Sequence, residues 1–544
     1  MRKIVILLLL LVVFFFLGNH IVSLTNPDEV FYVQTAKEMA ERGTWSTPYL
    51  FGQPQFEKPI LTYDFLRLSA LVGGFTPFSM RFFPALFGAL GVLAIYVLGI
   101  LGFPDRRKAW LGALVLMSSF FYLGMGRVVF SDMIFSAFIT LALVVFYWGY
   151  VTQQHRRWAF VLFYVFCALA VLTKGPIGFL IPFTAIILFL AIKGQLDVIM
   201  RPSFWVGLFL FLLLAIPWYG AMVKMYGNGF IDEFFVNDHI RRIFEAEHAS
   251  NDKWYFYPLA IILGMFPWVI FVVTAFVMYG RNIILRNISS TRLFLLIWVA
   301  TVLLTFQFAH SKLVSYILPL FPALALMVGD FLDEELTRNA RTIRLHLLFS
   351  CLASMFIPVV LLVFAFKYPM YLPSKAESIG VLLFSFVMMG GMVVLVFRRK
   401  FLGCVYVLAF QTLFVFMCIF VSAHRLEDYV ASKNSASFLK TQPEVQGKIL
   451  CSKMFLRGIR FYTNKDVALI SIGRAPLFSP HPVPVLDDDA KVIDFLKTHP
   501  VTYCVLDSAA REDIQRISGL MGRREELLRV MGNQYIVRIT LVNS

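Results

Sequence analysis

The strongest constraint on this chain is a series of apolar runs, each long enough to cross the hydrocarbon core of a bilayer and each closed by a short polar turn. Within lipid no water is available to backbone N–H and C=O groups, so such runs fold as helices that satisfy those groups internally. Runs of about 17 to 25 residues, the length that spans the core, lie near 4–24, 81–101, 109–126, 134–151, 159–172, 177–193, 203–220, 257–279, 293–309, 314–332, 345–367, 378–397 and 401–422. The reading is about thirteen transmembrane helices. With 59% hydrophobic and only 15% charged residues in 544, most of the chain lies in lipid.

Lysines and arginines outnumber acids by 49 to 33. Gathered on one face, that excess would point to nucleic acid. Instead it is dispersed among the turns, which makes it a topology signal and points away from nucleic acid. Placing Met1 inside puts Arg106-Arg107-Lys108, Arg156-Arg157, Lys193 with Arg201, Arg281 with Arg286 and Arg292, Arg338 with Arg341 and Arg344, and Arg398-Arg399-Lys400 all on the cytoplasmic side. A miscounted span would send the later clusters to the wrong face. Met1-Arg2-Lys3 opens an uncleaved first span, because no small-residue cleavage site precedes Asn26.

The opposite face collects loop 25–80, Arg127 to Asp132, Thr173 to Pro176, loop 221–256 and His310 to Tyr316. The domains read as 1–422, transmembrane with these two long extracytoplasmic loops, and 423–544, a small extracytoplasmic α/β domain. In that tail, helix-like stretches (Lys491 to Lys497, Ala509 to Leu520) alternate with strand-like ones (Lys448 to Cys451, Thr502 to Leu506, Gln534 to Leu541). Cys167, Cys351, Cys404 and Cys418 sit in apolar runs as packing residues. Cys451 and Cys504 either pair in an oxidising compartment or stand as two buried thiols in neighbouring strands.

Chemistry-bearing residues gather on the extracytoplasmic side. Asn26-Pro27-Asp28-Glu29 through Gly43 has an N-cap, a proline at the first helical position and a glycine stop, giving an interfacial helix with Lys37, Glu38 and Glu41 on its polar face. Asp28 and Glu29 either complement the helix macrodipole or act as reactive acids. Phe56-Glu57-Lys58-Pro59 offers a surface ion pair, or a cation for phosphate beside an acid for a metal. Asp132, at the edge of a span, is costly there unless it serves a cavity or a partner. Lys174 in Leu172-Thr173-Lys174-Gly175-Pro176 either snorkels or serves the site. Asn237-Asp238-His239-Ile240-Arg241-Arg242 and then His248 provide ligands for a divalent Zn, Mg or Mn ion with Glu57, and arginines for phosphate. Lys312 and Tyr316, four residues apart, can share a helix face toward a lipid phosphate.

The order of Asp28-Glu29, Gly43-Thr44-Trp45, Phe56-Glu57-Lys58-Pro59, Arg81-Phe82-Phe83-Pro84, Ser131-Asp132, Leu172 to Pro176, and Lys312 with Tyr316 resembles the bacterial aminoarabinose lipid A transferases and the related dolichyl-phosphate-mannose protein mannosyltransferase-like enzymes. The resemblance spans roughly the first 330 residues. It implies a GT-C type polytopic α-helical membrane protein with a C-terminal α/β domain, in the bacterial inner membrane with the N-terminus cytoplasmic and the tail periplasmic. The implied reaction is inverting transfer of a sugar from a polyprenyl-phosphate donor to lipid A or another envelope acceptor. Asp28, Glu29 and Asp132 would be the reacting acids; Lys58, Arg241, Arg242, Lys312 and Tyr316 the donor-phosphate contacts; Glu57 with His239 or His248 a metal site; and Tyr32, Tyr63 and Lys174 further pocket residues. One departure stands out. Many relatives read Asp-Glu-x-Arg-Tyr in the first loop, whereas here Phe31 stands where the arginine would be.

Two other readings stay open. A protein O-mannosyltransferase-like enzyme differs only in donor and acceptor. A lipid-linked sugar transporter or flippase would place its ionisable groups near mid-membrane, often in repeated halves; here they gather at one face, and no repeat is visible.

Overall fold

The computed structural model of the protein describes residues 2–153, 155–247, 249–338, 341–368, 374–442, 447–474 and 483–541. It divides into two compact units. The first holds Met1–Leu17, Phe56–Thr62 and Arg81–Ile419, and the second Gly18–Gln55, Tyr63–Met80 and Phe420–Ser544.

Nine helices among the described residues are long and apolar enough to cross a membrane: Pro77–Gly102, Ser131–Thr152, Arg156–Lys174, Pro202–Tyr226, Ser290–Gln307, Val314–Arg338, Arg341–Lys367, Lys375–Phe397 and Phe401–Val430. The protein is therefore a multi-pass membrane protein. The other four apolar runs take less regular forms. Ile4–Phe16 and Ile177–Ile192 are shorter apolar helices, and Phe256–Gly264 and Val269–Ile284 meet at a bend of 117°. The run read as 109–126 is two helices, Arg106–Met117 and Phe120–Met125. Apolar content alone does not register these breaks. Ser118 and Ser119 turn their hydroxyls onto the Leu114 and Val115 carbonyls, and Pro267 lacks the N–H that a continuous helix would need.

Within the first unit, helices Arg106–Met117 and Phe321–Arg338 pack backbone to backbone. A Cβ on Gly329 would lie 2.4 Å from the Gly112 nitrogen, so only glycine permits this approach. Charges then lock the same helices together. Asp330, fully buried, accepts from Lys108 Nζ at 2.6 Å, Arg292 Nε at 2.7 Å and the Tyr279 hydroxyl at 3.0 Å. Arg107 joins Asp333, and Arg292 also joins Glu334. Part of the basic turn chemistry is thus neutralised inside the bundle.

The second unit is built on a six-stranded sheet of order β5-β4-β3-β6-β8-β7, where β3 is Ile449–Ser452, β4 Val467–Ile470, β5 Val485–Leu486, β6 Thr502–Leu506, β7 Arg523–Met531 and β8 Gln534–Leu541. A two-residue pair, β1 (Tyr49–Leu50) with β2 (Gln53–Pro54), lies apart from it. Strands β5, β4, β3 and β6 are parallel, while β8 and β7 are antiparallel. Parallel strands buried on both faces read as short continuous apolar runs, which hides β4 and β5 in the sequence; β7 is masked by its charged edge residues. Helices Asp489–Thr498 and Ser508–Leu520 cover one face and Leu456–Thr463 the other.

Register decides the cysteine question. Leu450 pairs with Cys504 and Cys451 with Val505, and side chains alternate along a strand, so the two thiols point to opposite faces of the sheet. Both are buried and free.

Helix Asp28–Glu41 also belongs to this unit, and it differs from the expected interfacial helix. The chain enters it with Pro27 outside the first turn. Glu38 is buried and accepts from the Phe51 and Gly52 amides at 3.0 and 2.8 Å, while Lys37 reaches the Phe461 carbonyl and the Asn464 side chain. The helix thus packs on Leu456–Thr463, and Lys37 and Glu38 fasten it within the unit while Glu41 is exposed.

Removing one partner of a buried ion cluster leaves an uncompensated charge, at a cost of about 3–5 kcal/mol. Asp330→Ala is expected to lower the unfolding midpoint of the purified protein in detergent by that equivalent. Glu245→Ala, which breaks the exposed Arg241–Glu245 pair, is expected to cost about 0–1 kcal/mol. Equal midpoints for the two variants would refute the assignment.

Candidate active site

The segment read as loop 221–256 is largely helical. Residues Ile231–Arg241 wind as a π-helix that continues into Arg242–Phe244. This winding places Asp238 and Arg242 on one side, where Arg242 Nη2 lies 3.2 Å from Asp238 Oδ1. Lys58, from the separate stretch Phe56–Thr62, donates to Asp238 Oδ2 at 2.8 Å and to the Glu57 carbonyl at 2.8 Å. The Asp238 side chain is 2% exposed. Burial pushes its carboxyl up, but the Lys58 ammonium and Arg242 guanidinium outweigh burial and hold it below the usual range.

From Arg242 the chain of contacts runs on. Its Nη1 donates to the Tyr316 hydroxyl at 2.8 Å and pairs with Glu247 at 3.1 Å. Burial works against the Arg242 charge, yet Tyr316, Asp238 and Glu247 raise its value above the ordinary one. Lys174 Nζ lies 4.4 Å from the centre of the Tyr316 ring and is paired with Asp132. Asp132, Lys174, Tyr316, Arg242, Asp238 and Lys58 therefore form one continuous polar cluster, half-buried to buried throughout. Backbone bonds from His310 to Ile243 and from Ser311 to Arg242 fix the start of the Tyr316 segment against it.

His239 sits on the flank of the cluster. Its Nδ1 lies 2.6 Å from the Phe234 carbonyl, and burial holds the imidazole below its ordinary value, so the ring is neutral near neutral pH. Gly175 makes this fit possible: its φ is +100°, and a Cβ there would lie 2.4 Å from His239 Nε2. Leu172 to Pro176 is thus a turn whose glycine serves both conformation and clearance.

The other expected residues fall as follows. Lys312 does not share a helix face with Tyr316, because the helix starts only at Val314; its ammonium turns to Asp252 at 2.6 Å, beside His310. Arg241 pairs with Glu245 on an exposed face at 2.6 Å. Glu57 neighbours Glu233. His248 lies outside the described residues. Among the described residues, no group of three or more His, Cys, Asp or Glu is placed to hold a metal ion.

Asp28, Glu29, Tyr32 and Tyr63 belong to the second unit. Asp28 is exposed at the start of its helix. Glu29 is buried, and its carboxylate accepts from the Thr25 amide and hydroxyl at 2.9 Å each, which closes the helix N-terminus. Tyr32 and Tyr63 rings lie 6.0 Å apart, and Gln55 donates to the Tyr63 hydroxyl at 2.6 Å. At the sequence departure, the Arg457 guanidinium lies over the Phe31 ring at 4.7 Å.

Two acids were missed by sequence reasoning, and a third has another role than expected. Asp238 stood in the stretch expected to supply metal ligands, but its carboxylate pairs with Lys58 and Arg242, an i, i+4 pairing that exists only once the segment is helical. Asp64 and Glu233 carry no motif. Burial pushes Asp64 up to about 7 against the nearby Arg67. Burial also pushes Glu233 up to about 7, despite the 3.1 Å bond from the Phe56 amide, with Glu57 and Asp238 adding to the rise.

The profile of the dolichyl-phosphate-mannose-protein mannosyltransferase family matches residues 2–229. An undecaprenyl phosphate-α-4-amino-4-deoxy-L-arabinose arabinosyl transferase of Aeromonas hydrophila is 31% identical over 376 residues, covering 68% of this chain and 67% of the relative. In fold, the chain matches the crystal structure of ArnT from Cupriavidus metallidurans bound to undecaprenyl phosphate with a TM-score of 0.80 at 18% identity, over 98% of this chain and 97% of that one. It matches the Archaeoglobus fulgidus oligosaccharyltransferase with a TM-score of 0.56 at 12% identity, over 93% and 69%. The GT-C-like fold expected from the sequence is thereby borne out.

Glu233 supplies a pH test. The folded chain holds its proton more tightly than an unfolded chain with a value of 4.5, so the stability it contributes is full below that value and is lost as pH climbs through about 7. Melting points of wild type and Glu233→Gln are expected to coincide near pH ~4.5 and to separate by pH ~8, with the variant higher. A constant difference across that range would rule out a titrating Glu233.

Proposed function

This chain belongs to the family of the undecaprenyl phosphate-aminoarabinose arabinosyl transferases, and we propose that it moves an aminoarabinose-type sugar from a polyprenyl-phosphate donor to lipid A or another envelope glycolipid, with inversion at the anomeric carbon. The observation that carries this reading is the buried cluster in which Lys58 and Arg242 flank the Asp238 carboxylate and Arg242 also donates to the Tyr316 phenol. A polyprenyl phosphate departs as an anion, and donors already fixed in a poorly solvated site stabilise the charge that develops as the bond to the anomeric carbon breaks. The acceptor oxygen attacks from the opposite side of that carbon.

Asp132 and Lys174 continue the cluster, and in this reading they hold the Tyr316 ring in place. Asp28 is the acid proposed for the acceptor: a general base if the acceptor is a hydroxyl, an orienting group if it is an ionised phosphate. Glu29, committed to its own helix start, positions Asp28. The chain sits in the bacterial inner membrane with its N-terminus cytoplasmic and its C-terminal domain periplasmic, which the basic turns support. The family profile over residues 2–229 favours a second reading of the acceptor as protein, with the same donor chemistry.

Lys58→Ala and Arg242→Ala are each expected to lower transfer in proteoliposomes by about 10²–10³-fold, the loss seen when one charge-stabilising donor is removed, with membrane insertion unchanged; full activity in both sinks the mechanism. Asp28→Ala is expected to abolish transfer in the same assay, and retained activity would remove Asp28 from the reaction. Mass spectrometry of lipid A and envelope proteins from cells with and without the gene separates the acceptors. An added sugar on protein but not on lipid A would replace the first reading with the second.

A further inference from the structure

The helices that carry Asp132 and Lys174 have second ends. Arg156–Lys174 has 19 residues, about 28 Å of rise, so its Arg156 end lies one bilayer thickness from the candidate site. Between that end and the start of helix Pro202–Tyr226 an open groove of about 920 Å³ is lined by Arg156, Arg157 and Arg201 at its polar edge and by Trp158, Val161 and Val206 below. The two helices that flank it are joined by Phe204, whose ring packs on Phe160 at 5.9 Å and on Tyr164 at 5.5 Å.

Three guanidinium groups share this edge. Arg156 and Arg201 repel one another, and the acid within reach is Asp197, 3.8 Å from Arg201 with both side chains largely in water. His155 is stacked on Trp148 at 5.1 Å between ring centres. An exposed pair of that kind neutralises little, so the groove keeps a positive excess. Like charges held along one edge favour an anion that bridges them, and the planar guanidinium fork fits phosphate oxygens two at a time. The apolar half is not covered by protein: Trp158 is 68% exposed and Val206 59%. A free phosphate would use only the polar edge. A phospholipid uses both halves, its phosphate on the arginines and its chain along the wall.

We propose that this groove is a binding site for an anionic phospholipid of the surrounding leaflet, its phosphate held by Arg156, Arg157 and Arg201 and an acyl chain lying along Val161 and Val206. The site is separate from the proposed transfer chemistry and rests on the first unit alone. Each basic residue near a membrane surface adds to the attraction for anionic lipid, and the groove adds shape that dispersed surface charge lacks.

The test is native mass spectrometry of the full-length protein in detergent, incubated with phosphatidylglycerol, with phosphatidylcholine or with inorganic phosphate. Wild type is expected to retain one phosphatidylglycerol more than the triple variant R156Q/R157Q/R201Q, whose retained fraction at that stoichiometry falls at least about tenfold. R398Q/R399Q, in a basic turn elsewhere, is expected to match wild type. Phosphatidylcholine is expected to be held weakly by every form. Should the triple variant fail to fold, Val206→Trp, which fills the chain-binding wall and leaves every charge in place, is expected to lose the same lipid. Equal retention by wild type and the groove variants would overturn the proposal, as would displacement of the lipid by equimolar inorganic phosphate, which would make the groove a free-anion site.

Discussion

Asp238 holds two cations at once, and the first unit's polar cluster is organised around it. Lys58 comes from the short stretch Phe56–Thr62 between the other two pieces of that unit, and Arg242 from a helix about 180 residues later in the chain. Neither cation would remain buried without a counter-charge, because desolvating an unpaired ammonium or guanidinium costs several kcal/mol. With the carboxylate between them both cations are paired, and Arg242 donates further to Tyr316 and pairs with Glu247. A site meant to receive a phosphate must keep its cations aligned before the phosphate arrives, and a buried acid is the cheapest local means of doing so.

The same physics produces a different result around Asp330. There one carboxylate takes donors from Lys108, Arg292 and Tyr279, and Arg292 is saturated further by Glu334. The helices involved meet at glycine contacts with almost no clearance, so the network is a fastening. Around Asp238 the elements are less regular, a π-helix and a 3₁₀ turn. Irregular backbone within a membrane protein is tolerated where it is surrounded by protein or lines a cavity. Ion-pair chemistry alone does not separate a fastening from a site; the local winding of the chain does.

Much of this was legible in the sequence. The apolar runs located helices, nine of them among the described residues long and apolar enough to cross a membrane and the others shorter or broken, and Lys58, Asp132, Lys174, Arg242 and Tyr316 were marked as members of the cluster. What escaped the reading has physical reasons. Asp238 and Arg242 become partners only once 231–244 is helical, and that stretch has too many charges and too little apolar periodicity to announce a helix. Lys312 looked equivalent to Tyr316 because spacing was read on a helix that begins two residues too late to include it. Glu38 looked solvent-facing because a polar stripe on a short helix is the same whether water or the backbone amides of Phe51 and Gly52 meet it.

The composition of the second unit explains why a resemblance confined to the first 330 residues leaves part of the protein unread. Helix Asp28–Glu41 belongs to the extracytoplasmic loop by sequence, but its partners are Arg457, Phe461 and Asn464, more than 400 residues further on. Thr25 and Glu29 close the start of that helix, Asn26 donates to Ser432, and the Tyr462 hydroxyl reaches the Leu24 carbonyl. The tail and the first loop therefore fold as one body, and each supplies groups the other needs. At Phe31, where the sequence departs from the pattern expected from the resemblance, the guanidinium over the ring comes from the tail. A change in the tail can thus alter the surroundings of the Asp28 segment without touching any motif residue, so the chain's departures from its relatives have to be judged against both segments together.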